Sequence, residues 1–222
     1  QPESLSAQSR AMLKASIGLN NLHILLPMVT STSEVEEVLY LLERDWLAVQ
    51  EEEQVKITKP KIGIMVEVPS VLFQIDEFAE LVDFFSVGSN DLTQYLLAVD
   101  RNNPHVANVY SHFHPSVLRA LQNLVQACHQ QQKPISVCGE MAGDPLTAIL
   151  LMAMGFNTLS MSSSNILRVR KAICHVPMAD AKQLLDNVLQ MNNSLVIKSW
   201  LEHYFKTHGL ADMVKSNRLV SA

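Results

Sequence analysis

Five short apolar runs punctuate the chain, and each is followed by a stretch whose apolar residues recur at helical spacing. The first, Leu22-His23-Ile24-Leu25-Leu26-Pro27-Met28, leads into a predicted helix over about 33–54, with Ser33 as N-cap and Glu36 at capping-box distance. The second, Ile62-Gly63-Ile64-Met65-Val66-Glu67, leads into a helix over about 69–78. The third, Val82 to Val87, is closed by Gly88-Ser89-Asn90-Asp91, and a helix starts at Leu92. His114-Pro115-Ser116 then opens a long amphipathic helix to about Gln131. The fourth run is Pro134 to Cys138, after which Asp144-Pro145 opens a helix stopped by Gly155. The fifth, Thr158 to Ser162, precedes a helix over about 165–174. A helix over about 5–17 opens the chain, and a helical tail over about 178–208 follows the last unit.

Apolar strands alternating with helices predict an α/β fold with a parallel sheet. The polar residues of each unit gather at the strand's C-terminal end: Glu67, Asn90-Asp91, Cys138-Gly139-Glu140 and Ser162. That is the arrangement of a (β/α)8 barrel of TIM type or of a doubly wound sheet. A barrel needs eight strands, and only five runs are present. The expectation is therefore a truncated barrel, its last five βα units plus C-terminal helices, occupying residues 1–222 as one partial domain. The opening helix reads as the end of a unit whose strand is missing.

Composition narrows the function. The 222 residues are 48% hydrophobic with a net charge of −5, an ordinary globular balance with ample core material. Without Lys/Arg clusters, no nucleic-acid surface is expected. No apolar run approaches the roughly 18 residues that span a bilayer, so no membrane segment is expected. Cys128, Cys138 and Cys174 show no CxxC spacing and suit a reducing compartment, pointing to the cytoplasm.

Asp91 stands at a strand's mouth beside a helix N-terminus, where a hard cation and an anion can both be held; the ordinary alternative is that Asn90 or Asp91 merely caps the helix. Glu67 closes the preceding strand, and the two carboxylates together suit Mg²⁺, with water and substrate oxygens completing the shell. Arg101 offers a guanidinium fork to phosphate or carboxylate, or else a surface salt bridge to Asp100 or a neighbour. Cys138 ends the fourth strand against Gly139-Glu140, where a neutral thiol is able to deliver a proton to carbon. The eight histidines show no HxxxH or HExxH spacing.

Four segments in order carry a resemblance: Gly63 to Pro69, Asp83 to Tyr95, Leu97 to Asn103, and Val137 to Asp144. Together they resemble the phosphoenolpyruvate-binding C-terminal domain of enzyme I, the phosphoenolpyruvate–protein phosphotransferase. Val68-Pro69-Ser70, Val106-Ala107-Asn108-Val109-Tyr110 and His208 to Val214 resemble its nitrogen-type branch in particular. The resemblance implies that Glu67 and Asp91 bind Mg²⁺, that Asn90, Asp91 and Arg101 bind the substrate, Asn90 and Arg101 at its phosphate, and that Cys138 protonates C3 of the enolate to give pyruvate. It further implies a homodimer, an acceptor histidine on a separate N-terminal domain, and onward transfer to an HPr-type phosphocarrier protein. Arginines that the family supplies from earlier barrel units are not in this chain, so the fragment alone is expected to be inactive in transfer. A non-catalytic module that senses phosphoenolpyruvate or dimerises is the alternative; Cys138 argues against it, since binding needs no proton donor. A Mg²⁺-dependent lyase or aldolase is a third reading, which Cys138-Gly139-Glu140 disfavours.

Overall fold

A computed structural model of the chain describes residues 2–106 and 109–214. Ala107 and Asn108, within a segment quoted for the nitrogen-type resemblance, lie outside the described residues. Five parallel strands, β1 (His23–Leu26), β2 (Lys61–Val66), β3 (Phe84–Gly88), β4 (Ile135–Cys138) and β5 (Thr158–Leu159), stand side by side in chain order. Between them run α2 (Thr32–Glu53), α3 (Ile75–Leu81), α5 (Pro115–Gln130) and α7 (Pro145–Met154), each packed on the next. Strand order never reverses, so the sheet is wound in one direction, as in a barrel wall and unlike a doubly wound sheet.

The register explains why the helices cover one face. Leu26, Ile64, Phe85 and Ile135 form one cross-strand row, Val66, Val87 and Val137 another, and all are buried. The side chains between those rows point the opposite way. There Met65, Phe84, Ser136 and Cys138 remain only partly buried and Leu25 is exposed. β1 and β5 are edges with one neighbour each. Beside β5, a groove of about 640 Å³ is lined by Met152, Phe156, Leu159, Ile166 and Ile173.

Several element ends differ from the sequence expectation, each for a local reason. Helix α2 is capped by Ser31, not Ser33, because the Glu34 carboxylate reaches back to the amides of Thr30 (2.8 Å) and Ser31 (3.2 Å). The stretch predicted as a helix over 69–78 is a 3-10 turn, Pro69–Phe73, followed by α3; Gln74, at φ −134°, breaks it. The third strand begins at Phe84 rather than Val82 and runs through Gly88. Helix α4 (Ser89–Leu97) starts at once with Gly88 as N-cap, so Asn90 and Asp91 lie inside its first turn instead of before it. The tail is two helices, α9 (Met178–Gln190) and α10 (Ser194–Thr207), because Asn193 accepts from the amides of Leu195 and Val196 and starts a new one. Arg119 of α5 donates to the Leu189 and Met191 carbonyls and to Asn192 Oδ1, which fastens the bend between them to the barrel wall.

Phe85 is fully buried at the centre of the sheet, between Ile64 and Ile135. Phe85→Ala should cost about 3–5 kcal/mol by lost transfer energy and the cavity left behind, read from urea denaturation. A cost below about 1 kcal/mol, well under the usual range, would show that β3 does not form the core's centre.

Candidate functional site

The site is built where β2, β3 and β4 end. Glu67, one residue past β2, is 6% exposed, and its Oε2 accepts from the Met28 amide at 2.9 Å. Met28, just past β1, makes that bond from a left-handed backbone conformation, φ 55°, uncommon for a residue with a side chain. A Cβ at Gly88 would come within 2.5 Å of Glu67 Cγ and 2.6 Å of its Oε1, so this glycine makes room for the carboxylate.

The ends of β3 and β4 are pinned together. Ser89 Oγ donates to the Cys138 carbonyl at 2.6 Å, and the Glu140 amide donates to Asn90 Oδ1 at 3.1 Å. Between these bonds Gly139 adopts φ 92°, and a Cβ there would meet Ser89 Oγ at 2.5 Å. Glu140 begins the single turn α6 (Glu140–Gly143), which leads to Asp144, the N-cap of α7.

Arg101 follows α4, its amide held by Gln94 Oε1 at 3.2 Å. Its Nη2 lies 3.4 Å from Asp91 Oδ1, and each side chain of the pair keeps about a third of its surface accessible (34% and 33%). Such a pair contributes at most about 1 kcal/mol, so its partners are free to exchange. Nη1 is buried without a hydrogen-bond partner among the described residues. Asp100, the partner considered from sequence, instead accepts from the Asn102 amide.

The Cys138 thiol is half-buried and donates to the Val87 carbonyl at 3.4 Å. Burial raises its pKa, and the negative charges of Glu67 and Asp91 raise it further. The thiol is therefore held protonated at neutral pH, as a proton donor must be.

The structure thus gathers Glu67, Asn90, Asp91, Arg101 and Cys138 at one end of the sheet. It adds three residues that sequence reasoning passed over. Ser89 had its signal within Gly88-Ser89-Asn90-Asp91. Tyr110 and His112 had theirs in the long connection between α4 and α5, since connections of that length usually carry function. The Tyr110 hydroxyl donates to the Asn90 carbonyl at 3.2 Å, and His112 Nε2 lies 3.7 Å from Glu140 Oε2.

Glu67, Asp91, Glu140 and Asp144 outnumber Arg101 here, so an anion needs a cation to accompany it. Among the described residues no group of three or more His, Cys, Asp and Glu is placed to hold a metal. Two carboxylates, one aimed by a backbone amide and given space by Gly88, nevertheless fit a hard divalent ion that takes its other ligands from water and substrate.

Comparison with known proteins shows the family and the fold. A family model described as "PEP-utilising enzyme, PEP-binding domain" matches residues 1–178. A Salmonella typhimurium protein named "Phosphoenolpyruvate-dependent phosphotransferase system" is 41% identical over 215 residues, covering 97% of this chain and 29% of that protein. The Haemophilus influenzae "Phosphoenolpyruvate-protein phosphotransferase" is 38% identical over 208 residues, 94% of this chain and 36% of its own length. The chain thus spans about a third of the length of these relatives. Among solved structures, a citrate lyase from Burkholderia xenovorans superposes with a TM-score of 0.56 at 16% identity, over 92% of this chain and 69% of that one. A pyruvate kinase from Cryptosporidium parvum gives 0.54 at 14%, over 91% and 38%. At such identities the structural matches speak to the fold, a TIM-barrel-like α/β arrangement.

Iodoacetamide at pH 8 should label the exposed Cys174 first, then Cys138, and last Cys128, whose pKa burial pushes up to about 12. Glu67→Gln removes one charge that raises the Cys138 pKa. It should speed Cys138 labelling roughly two- to tenfold, the effect of lowering a thiol pKa by up to about one unit. Unchanged labelling would mean that the carboxylate does not act on the thiol.

Proposed function

This chain belongs to the PEP-utilising enzymes by their PEP-binding domain, and we propose that it is the substrate domain of a phosphoenolpyruvate–protein phosphotransferase, enzyme I, of the nitrogen type. The observation that carries this reading is a thiol held protonated by burial and by the charges of Glu67 and Asp91, on the strand next to Asn90-Asp91 and their neighbour Arg101. A module that only bound phosphoenolpyruvate would have no use for that proton.

In the proposed mechanism Asn90 and Arg101 orient the phosphate, with the buried Nη1 of Arg101 as an unused donor for it. Mg²⁺ held by Glu67 and Asp91 would supply charge neutralisation at the phosphoryl and enolate oxygens. The bond between phosphorus and the enol oxygen breaks as the phosphoryl group passes to a protein histidine. The enolate of pyruvate remains; Cys138 gives its proton to C3, a C–H bond forms, and the sulfur is left as thiolate. Protonation withdraws the enolate and draws transfer forward. No histidine of this chain is assigned as acceptor; that residue belongs on another domain of the whole protein, which would pass the phosphate to an HPr-type carrier. Cytoplasmic location and a homodimer complete the reading. The nitrogen-type assignment is supported by Val68-Pro69-Ser70 and the segment His208 to Val214. The resemblance places further substrate-binding arginines outside these residues, so the 222-residue chain alone should not transfer phosphate.

The test is incubation of the full-length protein with Mg²⁺ and phosphoenolpyruvate labelled in the phosphate. Acid-labile, base-stable label is expected. Cys138→Ala should slow its formation by about 10²–10⁴-fold, the range for losing a positioned acid, and Asp91→Ala should lower it sharply. A folded protein that binds phosphoenolpyruvate and acquires no label would overturn the proposal in favour of a sensing module.

A further inference from the structure

Tyr110 and His112 stand on the segment joining α4 to α5, and neither has a part in the mechanism above. The Tyr110 hydroxyl donates to the Asn90 carbonyl at 3.2 Å. The Arg101 guanidinium lies close enough to draw the phenol's pKa down against the rise that burial causes. One hydroxyl therefore touches the backbone of one phosphate contact and lies beside the side chain of the other.

His112 backs this tyrosine. Its ring meets the Tyr110 ring edge-on, with centroids 5.1 Å apart and planes at 76°. Nδ1 lies 3.4 Å from Thr93 Oγ1, and Nε2, buried without a hydrogen-bond partner among the described residues, faces Glu140 at 3.7 Å. Burial lowers the imidazole's pKa, while Glu140 and Asp144 oppose that shift and Arg101 adds to it. The ring is accordingly neutral near pH 7. A Thr93 hydroxyl donating to Nδ1 leaves the ring proton on Nε2, toward Glu140. His112 is thus steadied by α4 on one side and α6 on the other, and it steadies the Tyr110 ring in turn.

We propose that Tyr110, backed by His112, is a positioning residue for phosphate recognition, setting where Asn90 and Arg101 stand relative to one another. The inference rests on the reading that these two face the substrate's phosphate. Arg101 needs such a support, because its contact with Asp91 is loose and solvent-accessible and Nη1 has no partner among the described residues. The hydroxyl, bonded to the Asn90 carbonyl on α4, is the polar neighbour that the guanidinium has on that side.

The experiment is calorimetric titration of the full-length protein, with Mg²⁺, by phosphoenolpyruvate and separately by oxalate. Oxalate chelates a divalent cation but offers no phosphoryl group. The wild type should bind both. Tyr110→Phe, which keeps the ring and its packing on His112, should weaken phosphoenolpyruvate about three- to tenfold, the worth of one hydrogen bond, and leave oxalate unchanged. His112→Phe should weaken phosphoenolpyruvate by a smaller factor, again sparing oxalate. Equal weakening of both ligands would mean that the hydroxyl serves the fold at large, and no weakening of either would mean that it does not position the phosphate contacts; each result overturns the proposal. A wild type that binds neither ligand overturns instead the reading on which the proposal rests.

Discussion

Two hydrogen bonds across the mouth of the β3–β4 pair set the frame in which Asn90, Asp91 and Cys138 are placed. Ser89 Oγ holds the Cys138 carbonyl, and Asn90 Oδ1 holds the Glu140 amide. Each is worth only about 1 kcal/mol net, yet together they lock the first turn of α4 to the turn after Cys138. Gly139 makes this possible through a left-handed backbone and the absence of a Cβ that would strike Ser89. Asn90 and Asp91 arrive on α4 and Cys138 on β4; the pairing of Gly88 with Cys138 aligns the strands, and the lock carries that alignment into α4. Glu67 is aligned separately, through Met28 on the far side of β2.

The architecture was legible because burial on the helix-covered face leaves an unmistakable trace. Ile62, Ile64 and Val66, or Phe85 and Val87, can only belong to strands covered by helices, and proline-marked helix starts at Pro115 and Pro145 were found where expected. Element ends were less legible, because they depend on single side-chain bonds. Glu34 in place of Glu36, Gln74 breaking a turn, and Asn193 restarting a helix are local contests between near-equal alternatives. The start of α4 is a related case. Asn90 or Asp91 suited a cap as the alternative reading, whereas the strand passes into α4 at Gly88 without an intervening turn.

The site was legible residue by residue but not as a network. Carboxylates and a cysteine at strand ends advertise themselves by being polar where the pattern is apolar. Tyr110 and His112 carry no such contrast, since they lie in a polar connection where any residue type is unremarkable. Only the fold brings them onto α4. The sheet's uncovered side tells a similar story: Leu25, Met65 and Phe84 are apolar enough for a core, and their partial exposure follows from the five-stranded extent of the sheet rather than from their own chemistry.

The loose pairing of Arg101 with Asp91 has a thermodynamic consequence. On the proposed assignment, Asp91 serves a cation and Arg101 serves a phosphate, and neither can do so while fully committed to the other. A cation that claims Asp91 releases the guanidinium, and a phosphate that claims Arg101 releases the carboxylate. Each ligand thus removes a cost that the second would otherwise meet. Such coupling is reciprocal, so cation and substrate would raise one another's affinity by the same factor, whichever arrives first.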